Sequence, residues 1–303
     1  MSSPDHPVDA RGVVIGASAY ALWGLFPAFW PLLKPAGAVE ILAHRVLWTA
    51  VLMAAVLTVL RLWGPLRTLT ARGWLTVAAA AAAITTNWGL FIYGVMIDHV
   101  VEIALGYFMS PLVSVSLGVL VLHERLRVAQ WVAVGLAAAA VLVLAGFNGR
   151  LPWLALVLAV SFGVYGLLKK QVPVEATPGL AAEGFVVGPL ALAYLIWLAA
   201  TGHGGFGHDL GHSALLISGG PVTAIPLLLF GLAARRIPLA TLGTLMYLTP
   251  TLQFLWGWLV NHEPVAPALW VGFALVWTAL LIFTADLLHT TRRRRAVEPA
   301  IGG

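Results

Sequence analysis

Four ionisable residues stand where the chain is otherwise apolar: Glu40, His44 and Arg45 together, and Glu183 alone. Glu40 and His44 are four apart, so a helix places them on one face. A carboxylate, an imidazole and a guanidinium in that cluster could bind a zwitterionic or anionic solute and titrate as it passes. The structural alternative is an interfacial ion-pair cluster that orients its helix. Glu183 lies about a turn inside an apolar segment. It could carry a proton in an antiport cycle, or pair with Lys169, Lys170 or a helix N-terminus. Asn87 and Trp88 sit midway along another apolar segment, beside Thr85 and Thr86. A buried Asn needs a hydrogen-bond partner, which a solute or a neighbouring helix could supply. Tyr107, Tyr165 and Tyr247 offer hydroxyls from three further segments. Trp23 and Trp88 read as cavity residues suited to a flat, amphipathic organic solute. Trp74, Trp153 and Trp197, near segment ends, read as interface anchors.

The elements that must position these groups follow from composition. The chain has 303 residues, 60% hydrophobic and 10% charged, with mean hydropathy +0.93. Soluble domains carry about 25% charged residues, so a soluble domain is excluded, and so is disorder. Ten apolar segments approach the roughly 20 residues a spanning helix needs: about 12–33, 40–60, 73–97, 102–122, 128–147, 151–168, 179–200, 213–234, 237–260 and 265–285. Runs such as Val77–Ile84 do not alternate in polarity, which excludes barrel strands. The expected fold is therefore an all-α polytopic membrane protein of ten transmembrane helices. Ala17-Ser18-Ala19 resembles a signal-peptide cleavage site, but the apolar run continues to Leu33, so a spanning helix is expected.

The net charge of +5 is directional. Numbering the loops alternately places 14 of 17 basic residues on one side: Arg11, Arg61, Arg67, Arg72, Arg125, Arg127, Lys169, Lys170, Arg235, Arg236 and Arg292 to Arg295. Only Lys34 and Arg150 fall on the other, and Arg45 lies within a helix. Both termini are expected in the cytoplasm. The Arg292–Arg295 run reads as an anchor to anionic lipid, not a nucleic-acid patch.

An offset of 139 residues aligns the chain with itself. Trp23-Gly24 falls on Phe162-Gly163, Ser110-Pro111 on Thr249-Pro250, Gly118 on Gly257, His123-Glu124 on His262-Glu263, and Trp131 on Trp270. Each half has five segments, so the second half enters from the opposite side. Inverted repeats of this kind mark secondary transporters, and channels also use them. The expected organisation is a first repeat over 1–147, an inverted second over 148–289, and a basic cytoplasmic tail over 290–303. Ser110 heads a row of small residues with Ser114 and Gly118; Thr249, Gln253 and Gly257 match it. Such rows let helices pack closely, or line a polar cavity. Pro111 and Pro250 remove a backbone hydrogen bond at matching depths and are candidate gating kinks. The cavity is expected between the halves, lined by segments 1, 3, 4, 6, 8 and 9.

Several motifs resemble the RarD group, a branch of the EamA-type drug/metabolite transporters. They are Ala19-Tyr20-Ala21-Leu22-Trp23-Gly24, Glu40-Ile41-Leu42 with His44-Arg45, Asn87-Trp88, Leu105-Gly106-Tyr107-Phe108 with Pro111-Leu112, Glu124-Arg125, Phe162 to Leu167, Thr241-Leu242-Gly243 and Pro250-Thr251-Leu252. The resemblance covers nearly the whole chain. It implies a ten-helix inner-membrane permease of a group linked to chloramphenicol sensitivity, whose physiological substrate is poorly defined. One departure is His123, where related sequences tend to have Gly.

No cofactor and no metal are expected. There is no cysteine. His123-Glu124 and His262-Glu263 lack the second His of a zincin, and no phosphate-binding loop or nucleophile elbow occurs. His203, His208, Asp209 and His212 lie in a Gly-rich stretch that does not preform a metal site. Asp98, His99 and Glu102 form an acidic outer loop without a basic residue. The expected partners are a small organic solute, the lipid bilayer and protons as coupling ion. A second copy of the chain is a further candidate, and no nucleic acid is expected. The reading is a secondary carrier that is not an enzyme; a solute channel, a non-transporting sensor and a membrane-embedded enzyme are the alternatives.

Overall fold

A computed structural model describes residues 9–122, 127–148, 151–237 and 239–297. The expectations for His123, Glu124, Arg125 and Arg150 fall outside the described residues, as do those for the side chains of Arg292 to Arg295. The described residues form helices and connecting turns, with no strand. We label the longer helices α1 (Ala10–Gly24), α2 (Ala38–Val59), α3 (Ala71–Met96), α4 (Val100–Leu122), α5 (Val128–Asn148), α6 (Trp153–Lys169), α7 (Ala176–Thr201), α8 (Leu210–Ala234), α9 (Leu239–Leu245), α10 (Leu248–Leu255) and α11 (Pro267–Val297).

Seven helices are individually long and apolar enough to cross a bilayer: α2, α3, α4, α5, α7, α8 and α11. An eighth span forms if α1 is joined to Phe26–Leu33, which continues it after a 43° bend. Pro27 sits in the first turn after that bend, where its missing N–H is tolerated. The 17-residue α6 is apolar but shorter. The ninth expected segment is broken into α9, α10 and a π-helical turn over Trp256–Val260. The sequence reading treats 237–260 as one helix, because its apolar residues continue across the break at Met246-Tyr247.

The outer surface of the bundle is apolar. Val59, Leu75, Leu120, Leu142, Leu210 and Leu281 are each at least 70% exposed, a distribution that water disfavours and acyl chains accept. The chain is thus a multi-pass membrane protein. The polar side chains turn inward instead: Glu40, His44, Arg45, Thr49, Asn87, Thr223 and Glu183 are all buried.

Helix α2 packs against α7 and α8; α3 against α6 and α7; α4 against α6 and α10; α1 against α8 and α10; and α5 against α11. Two crossings depend on glycine. A Cβ on Gly220 of α8 would lie 2.7 Å from the carbonyl carbon of Trp48 in α2. A Cβ on Gly106 of α4 would lie 2.7 Å from the carbonyl oxygen of Ala155 in α6. Without a side chain, each backbone packs directly on its neighbour.

Candidate functional site

Arg45 lies in the second turn of α2 and is 2% exposed. Its Nε donates to Thr223 Oγ1 of α8 at 2.8 Å. The guanidinium carbon stands 4.0 Å from the centre of the Trp88 ring, 5.1 Å from Trp30 and 5.6 Å from Phe26. Contacts of this kind contribute up to about 2 kcal/mol when desolvated. Among the described residues, no carboxylate forms a salt bridge with Arg45, and its Nη1 has no hydrogen-bond partner. A buried cation held only by ring faces and a hydroxyl is an incomplete arrangement, because burying a charge without an opposite one costs several kcal/mol.

The ring of Trp88 also walls a small cavity between α2, α3 and α7. Its other walls are Val46, Thr49, Ile84, Thr85, Leu180, Glu183, Gly184 and Val187. Among the described residues, Thr49 Oγ1, buried there, has no partner. The remaining surface is mostly apolar, and the enclosed space is about 20 Å³, room for a water-sized group. The sequence reading lines the cavity with segments 1, 3, 4, 6, 8 and 9; this cavity lies among the second, third and seventh. The difference arises because the close crossings of α2 with α7 and α8 draw the second segment into the middle of the bundle.

Glu183 carries the opposite charge on the far wall. Lys169, in the last turn of α6, forms an ion pair with Glu183 Oε1, and the Tyr165 hydroxyl donates to Oε2 at 3.3 Å. The Lys169 ammonium also lies 5.7 Å from the Tyr165 ring centre. Of the partners that the sequence offers Glu183, Lys169 is therefore the one the fold brings to it.

At the opposite end of the bundle, the stretch between α7 and α8 folds over the start of α2. Gly205 N–H donates to Glu40 Oε1 at 2.7 Å. The Phe206 ring stands 5.0 Å from the His44 ring and 6.3 Å from Trp48. Trp48 Nε1 donates to His44 Nδ1 at 3.3 Å, and His44 Nε2 has no partner among the described residues. His212 reaches the Leu33 carbonyl at 2.9 Å. Among the described residues, no three His, Asp or Glu side chains converge as metal ligands. The acidic loop also has local structure: His99 contacts Glu102 at 3.2 Å, and Glu102 lies in the first turn of α4.

The other expected site residues are placed elsewhere. Asn87 Nδ2 donates to the Leu158 carbonyl at 2.9 Å and to Ser161 Oγ at 3.1 Å, while its Oδ1 accepts from the Tyr107 hydroxyl at 2.8 Å. Its amide thereby links α3, α4 and α6. Ser110 Oγ donates to the Gly106 carbonyl of its own helix at 3.0 Å, and Pro111 follows within the same helix. Trp23 packs edge-on to Tyr20 and against Phe230, with ring centres 5.5 and 5.9 Å away. Gln253 Nε2 donates to the Trp23 carbonyl at 3.4 Å, and its Oε1 has no partner among the described residues. Tyr247 and Thr284 hydroxyls lie 3.4 Å apart. Pro250 is buried in α10.

Sequence reasoning missed Phe26, Trp30 and Thr223 around Arg45, and Gly205 and Phe206 over Glu40 and His44. It also missed Glu263, which accepts from Val100 N at 2.8 Å and Val101 N at 2.9 Å at the N-terminus of α4. Burial holds the Glu263 carboxyl above its ordinary value, with the two backbone donors opposing that shift. The self-alignment of Glu124 with Glu263 was the available signal, because a carboxylate repeated at one position in both halves suggests a shared cap.

Comparison with known proteins points in one direction. Residues 10–146 match the EamA-like transporter family. The chain is 54% identical over 288 residues to Protein RarD of Streptomyces exfoliatus, covering 94% of this chain and 91% of that protein. It is 42% identical over 296 residues to the uncharacterized transporter YojE of Bacillus subtilis (strain 168), covering 96% and 99%. A solved crystal structure superposes with a TM-score of 0.59 at 18% identity, over 92% of this chain and 97% of that one, and shows the likeness of fold.

Proposed function

The chain belongs to the RarD group of the EamA-type transporters, and on that premise we propose that it is a secondary carrier moving a small organic solute across the bacterial inner membrane. The observation that carries this reading is the cavity between α2, α3 and α7, with Trp88 and Thr49 on one wall and Glu183 on the other. Its walls come from both halves of the chain. The Lys169–Glu183 pair closes it toward one end, and the Gly205–Phe206 stretch covers the α2 start toward the other. A carrier needs a site that can be closed from either side, and these two closures supply the parts.

The two-repeat, ten-span reading is supported by the packing. Under the 139-residue offset, the contact of α1 with α8 becomes that of α6 with α3, and the contact of α4 with α6 becomes that of α10 with α1. The contacts of α2 with α7, α4 with α10 and α5 with α11 map onto themselves. This exchange is what a two-fold axis in the membrane plane requires, and it favours alternating access between two equivalent halves. With both termini in the cytoplasm, Glu183 and Lys169 lie toward the cytoplasmic side and Glu40 toward the outside.

Protons are the proposed coupling ion. Protonation of Glu183 would release Lys169 and open that closure, so proton binding and gating would share one carboxylate. In proteoliposomes, we expect saturable uptake of a bound solute that is accelerated by the same solute on the opposite side. Flux without counterflow would instead indicate a channel. In everted vesicles, Glu183→Gln should remove the dependence of flux on the pH gradient; an unchanged dependence would eliminate Glu183 as the coupling group.

A further inference from the structure

The stretch between α7 and α8 forms a strap over the start of α2. Gly202 and Gly207 bound it at φ of 71° and 89°, angles that glycine adopts without strain. Between them, Gly205 N–H donates to Glu40 Oε1, and the Phe206 ring stands against the His44 ring. Gly207 N–H donates to Ser213 Oγ at 2.9 Å. His212, in the first turn of α8, sits between this strap and the first half of the chain. Its Nε2 lies 2.9 Å from the Leu33 carbonyl oxygen, and its Nδ1 lies 3.4 Å from the Gly205 carbonyl oxygen. Both ring nitrogens therefore face acceptors. A neutral imidazole has one N–H and one lone pair, so it can satisfy only one of the two, whereas an imidazolium donates to both. The titratable and charged groups around the ring are Glu40, His44 and Arg45 of α2, Lys34 beside Leu33, His203 and His208 in the strap, and Asp209 at the α8 cap. Asp209 accepts from the His212 backbone N–H, His44 Nδ1 accepts from Trp48, and Arg45 donates to Thr223. Among the described residues, no carboxylate forms a salt bridge with the His212 ring.

We infer that His212 is a proton-operated latch on this strap: as an imidazolium it ties Gly205 to Leu33 and closes the strap over Glu40 and His44, and as a neutral imidazole it lets go of Gly205. The Leu33 contact is the shorter, so the single N–H of the neutral ring goes there. The Nδ1 lone pair then faces the Gly205 carbonyl oxygen, and the strap loses one of its ties. Imidazoles change charge within about pH 5 to 8, so the latch works under ordinary conditions. This deepens the carrier reading and rests on it only for placing the strap on the outer face. Acid at that face holds the outer closure shut, and a neutral exterior frees it.

The test follows the strap amides by hydrogen exchange, which reads local opening, in the purified full chain in lipid nanodiscs. Protection factors, which correct for the pH dependence of exchange itself, are compared at about pH 5.5 and about pH 8. The expected result is about fivefold lower protection of the Gly205 and Gly207 amides at the higher pH, the scale of one hydrogen bond. His212→Gln, which keeps a donor toward Leu33 and carries no charge, should show equal protection at both pH values. His212→Asn gives the same uncharged comparison if the first variant does not fold. His44→Asn and Glu40→Gln, which keep acceptors for Trp48 and Gly205, should retain the fivefold change. Equal protection at the two pH values in the unsubstituted chain overturns the inference. So does a change that survives in the His212 variants, or one that vanishes in His44→Asn or Glu40→Gln, which would assign the proton to that residue. Solute counterflow with a strap indifferent to pH would overturn the inference and preserve the carrier reading. A pH-dependent strap without counterflow would do the reverse.

Discussion

Arg45 and Glu183 are two buried charges that the fold treats differently: Glu183 lines the cavity, and Arg45 stacks on the Trp88 ring that forms another of its walls. Glu183 meets a lysine and a phenol, both able to reward its negative charge. Arg45 meets ring faces and one hydroxyl. The first arrangement is complete in the protein alone. The second has no opposite charge in contact among the described residues. The difference separates a charge neutralised by an ion pair from one solvated by ring faces and a hydroxyl, although both occupy the second turn of a membrane helix.

The largest expected effect comes from breaking the completed pair. Lys169→Met should cost about 3 kcal/mol of stability, because it strands Glu183 in a site from which water is excluded. Adding Glu183→Gln to that variant should restore most of the loss, which a double-mutant cycle in denaturation measures. If the two changes simply add, Glu183 does not depend on Lys169.

Asn87 tests the same idea without charge. Asn87→Leu should cost about 2 kcal/mol, since it leaves the Tyr107 hydroxyl and the Leu158 carbonyl without their partner. A loss of solute binding with unchanged stability would move Asn87 from the framework to the solute site.

Arg45→Met should change the stability of the solute-free protein by no more than about 1 kcal/mol, in either direction, because removing an uncompensated buried charge offsets the lost ring contacts. A loss comparable to that of Lys169→Met would erase the contrast between the two sites.

Glu263 gives the smallest effect and a third arrangement, a buried carboxylate held by backbone amides. Its folded value lies above the ordinary one, so the folded state holds its proton more tightly than the unfolded state. That contribution is fully present below the unfolded value of about 4.3 and fades as the pH rises through the folded one. Relative to Glu263→Gln, the unsubstituted protein should therefore lose a few tenths of a kcal/mol as the pH is raised from about 4. A loss on acidification instead would mean that the amides outweigh burial.

Much of this was legible in the sequence. The scarcity of charge makes Glu40, His44, Arg45 and Glu183 conspicuous, and Lys169 is close enough along the chain to be named as a partner. The residues around Arg45 were not legible, because Thr223 is 178 positions away. Their meeting depends on the Gly220 crossing, which periodicity within one helix does not reveal. Trp30 was hidden for another reason: the bend after Gly24 turns its stretch to a direction that a straight segment would not give. The break near Met246 was invisible because apolar residues continue through it. Gly205 and Phe206 lie in a stretch without helical spacing, so no pattern assigned them to Glu40 and His44.

The contact between Gly220 and the Trp48 backbone has a mechanical consequence. At 2.7 Å from a built Cβ, there is no slack for α2 and α8 to slide past one another at that level. The Arg45–Thr223 bond ties the same pair one turn away on α8. Sliding α2 past α8 would therefore have to disturb both contacts at once.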